Sequence, residues 1–481
     1  MSSMFSVESG AYTAPVVTYD DLKSCLPVDP ENAYTEPSSH IVTIKTCNSP
    51  DLLARCVTSL HDEVSLEYVK PIVIDDSKDA DSREKNMRVA WETEAEYCAV
   101  GGKNSLVNSF GEYIAKTESE TTANTLQDYL HRIVTDHPAG PSAATWGGVG
   151  GTQNLGHLRS VMQFGAQETP KEEWLSTFID DDVLMPKNAQ EVFRMIGLYH
   201  TIGSLSVIAS SYLHHSGNPI ILASNAFKEL AVRADDMDQP AIGTEINNII
   251  NRTPTMGLRG ERSSDARYSS PEYTLIFPGG NYSLTGGEAF DVPVPVVGIE
   301  DLGYAAMLQL FKGARELGVA RVPDFIHKRS ARQNGGDVHG NLSEFCRAEK
   351  DVDYNTFQKI AKEYAADNGA SSENIAAFTA LETDRNQSQS RRQRKLIQHL
   401  GELSRDERFA SFRDTLSGLK QNIYEFALAK TKNANTLTLD KPFVEKLLKD
   451  MLTLHPQLVS KAYQFGQDGG LASYDQATHR S

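Results

Sequence analysis

The sequence predicts an α/β fold with a mostly parallel, Rossmann-like sheet flanked by helices, followed by an α-helical C-terminal domain. Two observations support this prediction. Short β-branched runs alternate with amphipathic helical segments from residue 40 onward, and almost only helical segments remain after about residue 345. We therefore divide the chain into an N-terminal lead-in (1–38), a sheet domain (39–345) and a helical domain (346–481).

The first three elements of the sheet domain indicate a parallel sheet. His40–Ile44 is a β-branched run suited to a buried strand, Leu52–Leu60 places apolar residues at helical spacing, and Val69–Ile74 forms a second strand. A strand, a helix and a strand in such a short stretch are typical of a βαβ unit. Because ligands bind beyond the carboxyl ends of parallel strands, the residues after Ile44 and Ile74 are functional candidates.

The same signals assign the later segments of the sheet domain. Residues 83–140 are polar and helical, and the glycine-rich segment 146–156 predicts a flexible connection. Further strands are expected at Ser176–Ile179, Val183–Pro186, Leu205–Ala209, Pro219–Ala223 and Tyr273–Phe277. In the helical domain, apolar residues at helical spacing in 408–428 predict packing against the other helices of this domain or against a second copy in a homodimer.

The composition argues against several classes of protein. The 481 residues carry 47 Lys+Arg against 64 Asp+Glu, which gives a net charge of −17. A general nucleic-acid binder needs a basic face and is therefore not expected. No run approaches the roughly 20 apolar residues of a membrane span, and we expect no secretory signal. Five cysteines without a C-x-x-C pair indicate reduced thiols in a cytoplasmic protein.

Carboxylates follow predicted strands at three places. Asp180-Asp181-Asp182 comes directly after an apolar strand, and such oxygen ligands suit Mg²⁺ or Mn²⁺, which usually also contact substrate phosphates. An acidic turn exposed to solvent is the alternative interpretation. Asp75 and Asp76 end another strand, where a carboxylate can accept hydrogen bonds from a ribose or a base, although a helix-capping turn is equally open.

The third place is Glu300-Asp301, which follows an apolar segment punctuated by prolines. A buried carboxyl group near a substrate can act as a general base. The alternative is a helix N-cap, since the residues after 301 have helical spacing.

Together and in this order, the motifs resemble the nucleotide-sugar glycosyltransferases of the GT-A fold, particularly the family 2 group. The resemblance covers roughly residues 40–340. Two features depart from the family pattern. The stretch between Asp76 and Asp180 is longer than the family pattern implies, so we interpret residues 83–140 as an insertion, and the segment around Arg159 lacks the second half of its motif. The matched segments are Thr43–Asn48, Asp75-Asp76-Ser77, Asn154–Arg159, Asp180 to Asp182, and Glu300-Asp301 after Gly279-Gly280-Asn281.

The resemblance implies roles for individual residues. Asp301 would take the proton from the acceptor, with Glu300 its nearest rival, in a displacement that inverts the sugar. The metal ligands would be Asp180, Asp182 and His327, with His339 as second choice for the histidine; a solvated basic loop is the alternative around 327–329. The donor-binding residues would be Thr43, Thr46, Asn48, Asp75, Asp76, Arg159, Asp181, Lys328 and Arg329, with Arg332 an alternative to Arg329 on phosphate.

The resemblance therefore implies a glycosyltransferase that uses Mn²⁺ or Mg²⁺. It would move a sugar from a UDP- or GDP-sugar to an acceptor that the sequence does not identify, whether a glycan, a small molecule or a protein. Two alternatives stay open. A sugar nucleotidyltransferase would carry a glycine-rich basic loop after the first strand, where this chain has Thr43–Pro50 without glycine. A catalytically silent GT-A domain could serve as a binding module.

Overall fold

The computed structural model describes most of the chain from residue 40 onward. The described residues are 40–77, 79–101, 105–134, 137–139, 144–146, 148–185, 189–201, 205–213, 219–251, 282–294, 304, 307–308, 310–312, 318–327, 354–435 and 440–479. The strands are β1 (His40–Thr46), β2 (Lys70–Asp75), β3 (Glu96–Ala99), β4 (His137–Ala139), β5 (Ala144–Trp146), β6 (Leu175–Asp180), β7 (Val183–Leu184), β8 (Leu205–Leu213), β9 (Tyr282–Thr285) and β10 (Gly318–His327).

Helices alternate with these strands and then form the whole C-terminal part of the described chain. They are α1 (Pro50–Glu63), α2 (Ala80–Glu92), α3 (Leu106–Thr117), α4 (Glu120–Val134), α5 (Gly148–Ala166), α6 (Ala189–Thr201), α7 (Pro219–Arg233), α8 (Gln239–Asn251), α9 (Tyr354–Asp367), α10 (Ser372–Leu403), α11 (Arg413–Asn435), α12 (Lys441–Gln467) and α13 (Gly470–His479). Among the helices described here, none combines the length and the apolar character needed to cross a membrane.

The main sheet has the strand order β3-β2-β1-β6-β9-β8-β10-β7. Strands β3, β2, β1 and β6 are parallel neighbours. Strand β9 runs antiparallel between β6 and β8, and β10 returns parallel to β8 with the short β7 antiparallel at the edge. This mostly parallel sheet, flanked by helices, confirms the predicted α/β fold class.

The central strand β1 is buried along its whole length, because helices cover both faces of the sheet. Its side chains alternate between the two faces. Ile41 belongs to the apolar core that includes α5, whereas Val42 and Ile44 belong to the core that includes α1. The sequence pattern predicted both β1 and the buried face of α1, and the structure confirms them.

The glycine-rich segment is a helix and not the flexible connection that the sequence predicted. Residues 148–156 form the first half of α5, which lies across the sheet. A Cβ atom on Gly156 would come within 2.9 Å of Thr43 Cγ2 and 3.4 Å of the Phe178 ring. The missing side chain therefore lets the helix approach the strands closely, and this tertiary contact offsets the low helix propensity of glycine.

Two other predictions of secondary structure were wrong. Residues 83–140 are not an insertion throughout, because Glu96–Ala99 forms β3 and pairs with β2 in the main sheet. The helices that fit the predicted insertion begin after β3, at α3. Pro219–Ala223, predicted as a strand, is the first part of α7, since a short apolar run does not distinguish a buried strand from a helix. The predicted strand Tyr273–Phe277 lies outside the described residues.

The C-terminal helices do not form a core of their own, so the boundary near residue 345 does not separate two independent cores. Residues of α12 such as Leu458 and Phe465 share one apolar core with the sheet and α5. A Cβ atom on Gly165 would lie 2.0 Å from Tyr463 O, and one on Gly466 would lie 1.9 Å from Met162 O. Helices α5 and α12 thus cross with their backbones in contact.

The apolar face predicted within 408–428 is buried inside the chain. Leu416, Leu419 and Ile423 of α11 join one core with residues of α7, α8 and α10. The face thus packs against one helix of the C-terminal domain, α10, as predicted, and also against α7 and α8 of the sheet domain, which the sequence did not predict.

Buried histidines make this core sensitive to acid. Burial, and then the charge of His200, lower the pKa of His40 to about 3. Burial also lowers the pKa of His455 to about 3, although a backbone hydrogen bond to Phe290 opposes it. Burial, and then the charges of His455 and Lys45, lower the pKa of His157 well below its usual range.

We therefore expect the free energy of unfolding to fall as the pH drops below about 6.5, where the unfolded chain binds protons that the folded chain cannot accept. Each such histidine contributes a slope of about 1 kcal/mol per pH unit. Urea unfolding at pH 7.5 and pH 5.5 measures this slope. His455→Phe removes one titrating ring from the core, and a slope as steep as that of the wild type would contradict the assignment of His455.

Candidate functional site

Three neighbouring strands end in polar residues at the same edge of the sheet. In the parallel pairing of β1 with β2, Thr46 lies opposite Asp75. In the pairing of β1 with β6, Lys45 lies opposite Asp180. The structure therefore brings the first two predicted carboxylate clusters together at the carboxyl edge, where parallel sheets bind ligands.

The acidic cluster Asp180–Asp182 is held by the end of β1. Lys45 Nζ lies 2.9 Å from Asp180 Oδ1, with 5% of the Lys45 side chain and 25% of the Asp180 side chain exposed. Thr46 Oγ1 donates a hydrogen bond of 2.8 Å to Asp181 Oδ2. Asp181 and Asp182 are both buried. The structure therefore does not support the alternative interpretation of Asp180–Asp182 as an acidic turn exposed to solvent.

Cys56 of α1 lies against the buried side of this cluster. Its thiol donates to the backbone oxygen of Asp180 at 3.6 Å. Burial first, and then the charges of Asp181, Asp182 and Asp180, raise the pKa of Cys56 well above its usual range. The thiol therefore stays protonated and behaves as a small apolar group rather than as a nucleophile.

Asp75 and Asp76 occupy different environments although they are adjacent. Asp75 is almost fully buried, and its Oδ1 accepts a hydrogen bond of 2.8 Å from the Ser77 amide. Its Oδ2 accepts one of 2.7 Å from the Tyr97 hydroxyl. Burial, and then the charge of Asp75, raise the pKa of Tyr97, which keeps this phenol a donor. Asp75 thus shapes the turn, and Asp76, which is 9% exposed against 1% for Asp75, is the more accessible of the two carboxylates.

The loops after β1 and β2 are joined to each other. The Asp76 amide donates to Thr46 O at 3.0 Å, and the Asn48 amide donates to Ser77 Oγ at 2.8 Å. Asn86 Nδ2 donates to the same hydroxyl at 3.0 Å. Asn48 has a φ of 51°, a left-handed conformation that asparagine tolerates better than most residues. These bonds hold Asn48 and Asp76 side by side along the edge of the sheet.

The donor set at this edge fits a divalent cation that is shared with a phosphate-bearing ligand. Within the described part of the chain, no three His, Cys, Asp or Glu side chains are arranged to hold a metal ion alone. Asp180 and Asp182 offer two carboxylates. Mg²⁺ is commonly bound through one or two carboxylates together with substrate phosphates, and Mn²⁺ shares its preference for oxygen ligands.

Two of the predicted donor-binding residues lie away from the edge. Thr43 is fully buried, and its Oγ1 lies 3.3 Å from Ser160 Oγ beneath α5. Arg159 is also buried and forms ion pairs with Glu96, the first residue of β3, and with Asp475 of α13. Both predictions are therefore corrected, because neither side chain is directed at a ligand beyond the strand ends.

The ion pairs of Arg159 with Glu96 and Asp475 connect the last helix, α13, to the sheet. Burial alone would raise the pKa of Glu96, but the charges of Arg159 and Lys70 outweigh it and hold that pKa below its usual range. Glu96 therefore remains ionised between two cations. These ion pairs account for the burial of Arg159, and no contact with a sugar donor is needed to explain it.

The remaining predicted residues are only partly within the described chain. His327 ends β10, and its backbone lies opposite Val183, the residue after Asp182. This position is beside the acidic cluster. Glu300, Asp301, Lys328 and Arg329 lie outside the described residues, as do Arg332 and His339.

The sequence prediction gave no role to three residues that organise the site: Lys45 and Ser77, which lie in matched segments, and Tyr97. Lys45 carried a signal that could have been used, because a lysine at the end of an otherwise apolar and β-branched strand needs a carboxylate nearby. Tyr97 lies in β3, which the prediction placed in an insertion.

No protein-family model and no curated protein matches the sequence. Among solved structures, the chain is similar to a mannosyltransferase from Pyrobaculum calidifontis in complex with GDP-Man and Mn²⁺, at 11% identity over 92% of this chain and 89% of that chain, with a TM-score of 0.38. It is also similar to glucosyl-3-phosphoglycerate synthase from Mycobacterium tuberculosis in complex with Mn²⁺, UDP-Glc and phosphoglyceric acid, at 13% identity over 72% of this chain and 86% of that chain, with a TM-score of 0.33.

Proposed function

We propose that this chain is a divalent-metal-dependent glycosyltransferase that moves a sugar from a nucleoside-diphosphate sugar to an acceptor. The observation that carries the proposal is the common edge formed by the ends of β1, β2 and β6. There Thr46 connects the two acidic segments, because its backbone oxygen accepts from the Asp76 amide and its hydroxyl donates to Asp181, while Lys45 pairs with Asp180. Two separate acidic segments, brought to one ligand-binding edge, match the needs of a nucleoside and of a metal-bound diphosphate.

The joined loops after β1 and β2 supply the nucleoside side of this site. The Asp76 amide bonds to the backbone oxygen of Thr46, and the Asn48 amide bonds to the Ser77 hydroxyl, so Asp76 and Asn48 belong to loops that are held together. A carboxylate and an amide in this position can accept and donate hydrogen bonds to a ribose or a base. Asp75 acts on the nucleoside indirectly, because its two oxygens hold the Ser77 amide and the Tyr97 hydroxyl.

Asp180 and Asp182 would hold the divalent cation, with His327 as a further ligand. When bound, such an ion neutralises the charge that develops on the departing nucleoside diphosphate. Asp181 keeps the turn in place through Thr46, and the protonated Cys56 thiol lines its buried side without adding charge. Lys328 and Arg329 would add positive charge on the phosphate side.

The acceptor side is proposed from the resemblance alone. Asp301 would remove the proton from the attacking group of the acceptor, with Glu300 as the alternative base. A base on the face opposite the leaving diphosphate leads to one displacement and to inversion of the sugar carbon. The acceptor itself, whether a glycan, a small molecule or a protein, is to be found by screening.

The proposal predicts slow hydrolysis of the correct donor in the presence of Mn²⁺ even without an acceptor, because water can replace the acceptor. Incubation with a panel of UDP- and GDP-sugars, followed by detection of the released nucleoside diphosphate, measures this activity. Release of UDP or GDP from one donor and not from the others supports the proposal. Pyrophosphate formed from a nucleoside triphosphate would instead indicate a sugar nucleotidyltransferase, and no turnover of any donor would favour a silent binding module.

A further inference from the structure

Lys45 is an unusual residue at the edge just described. It is the last but one residue of β1 and lies between β2 and β6, with only 5% of its side chain exposed. Its ammonium group lies 2.9 Å from Asp180 Oδ1. None of the roles in the proposed transfer requires a lysine there, so its position needs a separate explanation.

The pairing of Lys45 with Asp180 follows from the cost of burying charge. A buried ammonium group is unfavourable unless a carboxylate compensates it, and three consecutive carboxylates repel one another unless a cation lies among them. Lys45 meets both conditions. Its neighbour Thr46 holds Asp181 through a hydrogen bond. Lys45 and Thr46, which are consecutive in β1, thus hold Asp180 and Asp181, which are consecutive in the acidic cluster. Of the two residues of β1, only Lys45 carries a charge.

That charge has a consequence for cation binding. A fixed positive charge at 2.9 Å from one carboxylate oxygen of Asp180 weakens the attraction of the whole cluster for a second cation. A carboxylate nevertheless has about four lone-pair positions, so Asp180 can keep Lys45 while it accepts another partner. The two phosphates of a nucleoside diphosphate supply the additional negative charge that the cluster then lacks.

We infer that Lys45 is a positioning residue that makes binding of the divalent cation depend on the nucleoside diphosphate. In the protein without nucleotide, Lys45 balances Asp180 and keeps the affinity of the cluster for the cation low. With the diphosphate in place, the cation and the ligand bind together. This inference rests on the proposed function.

The test measures Mn²⁺ affinity rather than activity. The electron paramagnetic resonance signal of unbound Mn²⁺ gives the dissociation constant of the full chain without nucleotide, with UDP and with GDP. We expect the wild type to bind Mn²⁺ weakly without nucleotide and at least tenfold more tightly with one of the two. Lys45→Met should tighten binding without nucleotide at least tenfold and remove most of this dependence, whereas Lys45→Arg, which keeps the charge, should behave as the wild type does.

Two further variants complete the experiment. Lys45→Gln is measured alongside Lys45→Met, because its amide can still hydrogen bond to Asp180 without carrying a charge, which protects the fold. Lys70→Met is the matched control, since Lys70 also pairs with a carboxylate, Glu96, but lies at the amino end of β2. Its Mn²⁺ affinity should equal that of the wild type.

The outcomes separate this inference from the proposed function. Unchanged or weaker Mn²⁺ binding by folded Lys45→Met or Lys45→Gln, in the absence of nucleotide, would overturn the role of Lys45 alone. A wild type that binds no Mn²⁺ with either UDP or GDP would overturn the proposed function itself.

Discussion

Replacing Asp182 with asparagine is expected to abolish sugar transfer while the fold stays intact. Asp182 is buried in the turn after β6 and is one of two carboxylates available to a cation at the sheet edge. Asparagine keeps the shape of the side chain but removes its charge. Loss of a ligand of this kind should reduce turnover about 1000-fold or more, which corresponds to roughly 4 kcal/mol of transition-state stabilisation.

The same substitution should leave the free energy of unfolding unchanged within about 1 kcal/mol, because it also relieves repulsion within the acidic cluster. Nucleoside diphosphate release in Mn²⁺, together with thermal unfolding, measures both effects. Asp291→Asn is the control, since Asp291 pairs with Lys171, which lies before the amino end of β6 and not at the strand ends that form the site. Nearly wild-type turnover in Asp182→Asn would remove this residue from the site.

The second large effect is expected for Gly466→Ala, and it concerns stability. A Cβ atom at this position would lie 1.9 Å from Met162 O and 2.7 Å from the Ala166 amide nitrogen, both of which belong to the backbone of α5. Backbone atoms cannot turn away as a flexible side chain can, so the two helices must separate. We expect the free energy of unfolding to fall by about 3 kcal/mol or more.

Gly418→Ala provides the matched control for this substitution. Gly418 also lies within a helix, α11, but a Cβ atom there would meet nothing within 4 Å. Alanine should therefore be neutral or stabilise the protein by up to about 1 kcal/mol, because it has the higher helix propensity. Urea unfolding compares the two variants. Equal effects of both would show that α12 is not in backbone contact with the sheet domain.

The sequence was most informative where short-range chemistry decides the structure. The β-branched strand β1, the apolar face of α1 and the carboxylates after β2 and β6 all follow from local composition and spacing. The common location of those carboxylates also followed, because parallel strands end at one edge of their sheet. The first two acidic clusters of the candidate site were thus predictable before any coordinates.

The sequence was least informative where distant segments meet. Whether Arg159 faces a phosphate or a carboxylate depends on Glu96 and on Asp475, a residue of the last helix. Local sequence rules predict a loop for the glycines of α5, and only the close approach of this segment to the strands explains why it is a helix. Likewise, the difference between Asp75 and Asp76 depends on Tyr97, which reaches the site because β3 joins the sheet beside β2.

A crystal structure with Mn²⁺ and UDP or GDP tests most directly whether the ends of β1, β2 and β6 form one site for a metal-bound nucleoside diphosphate. The account predicts an anomalous Mn²⁺ peak at the carboxylates of Asp180 and Asp182, with the nucleoside against Asp76 and Asn48. A nucleotide bound elsewhere on the molecule, with no Mn²⁺ at Asp180 or Asp182, would contradict it.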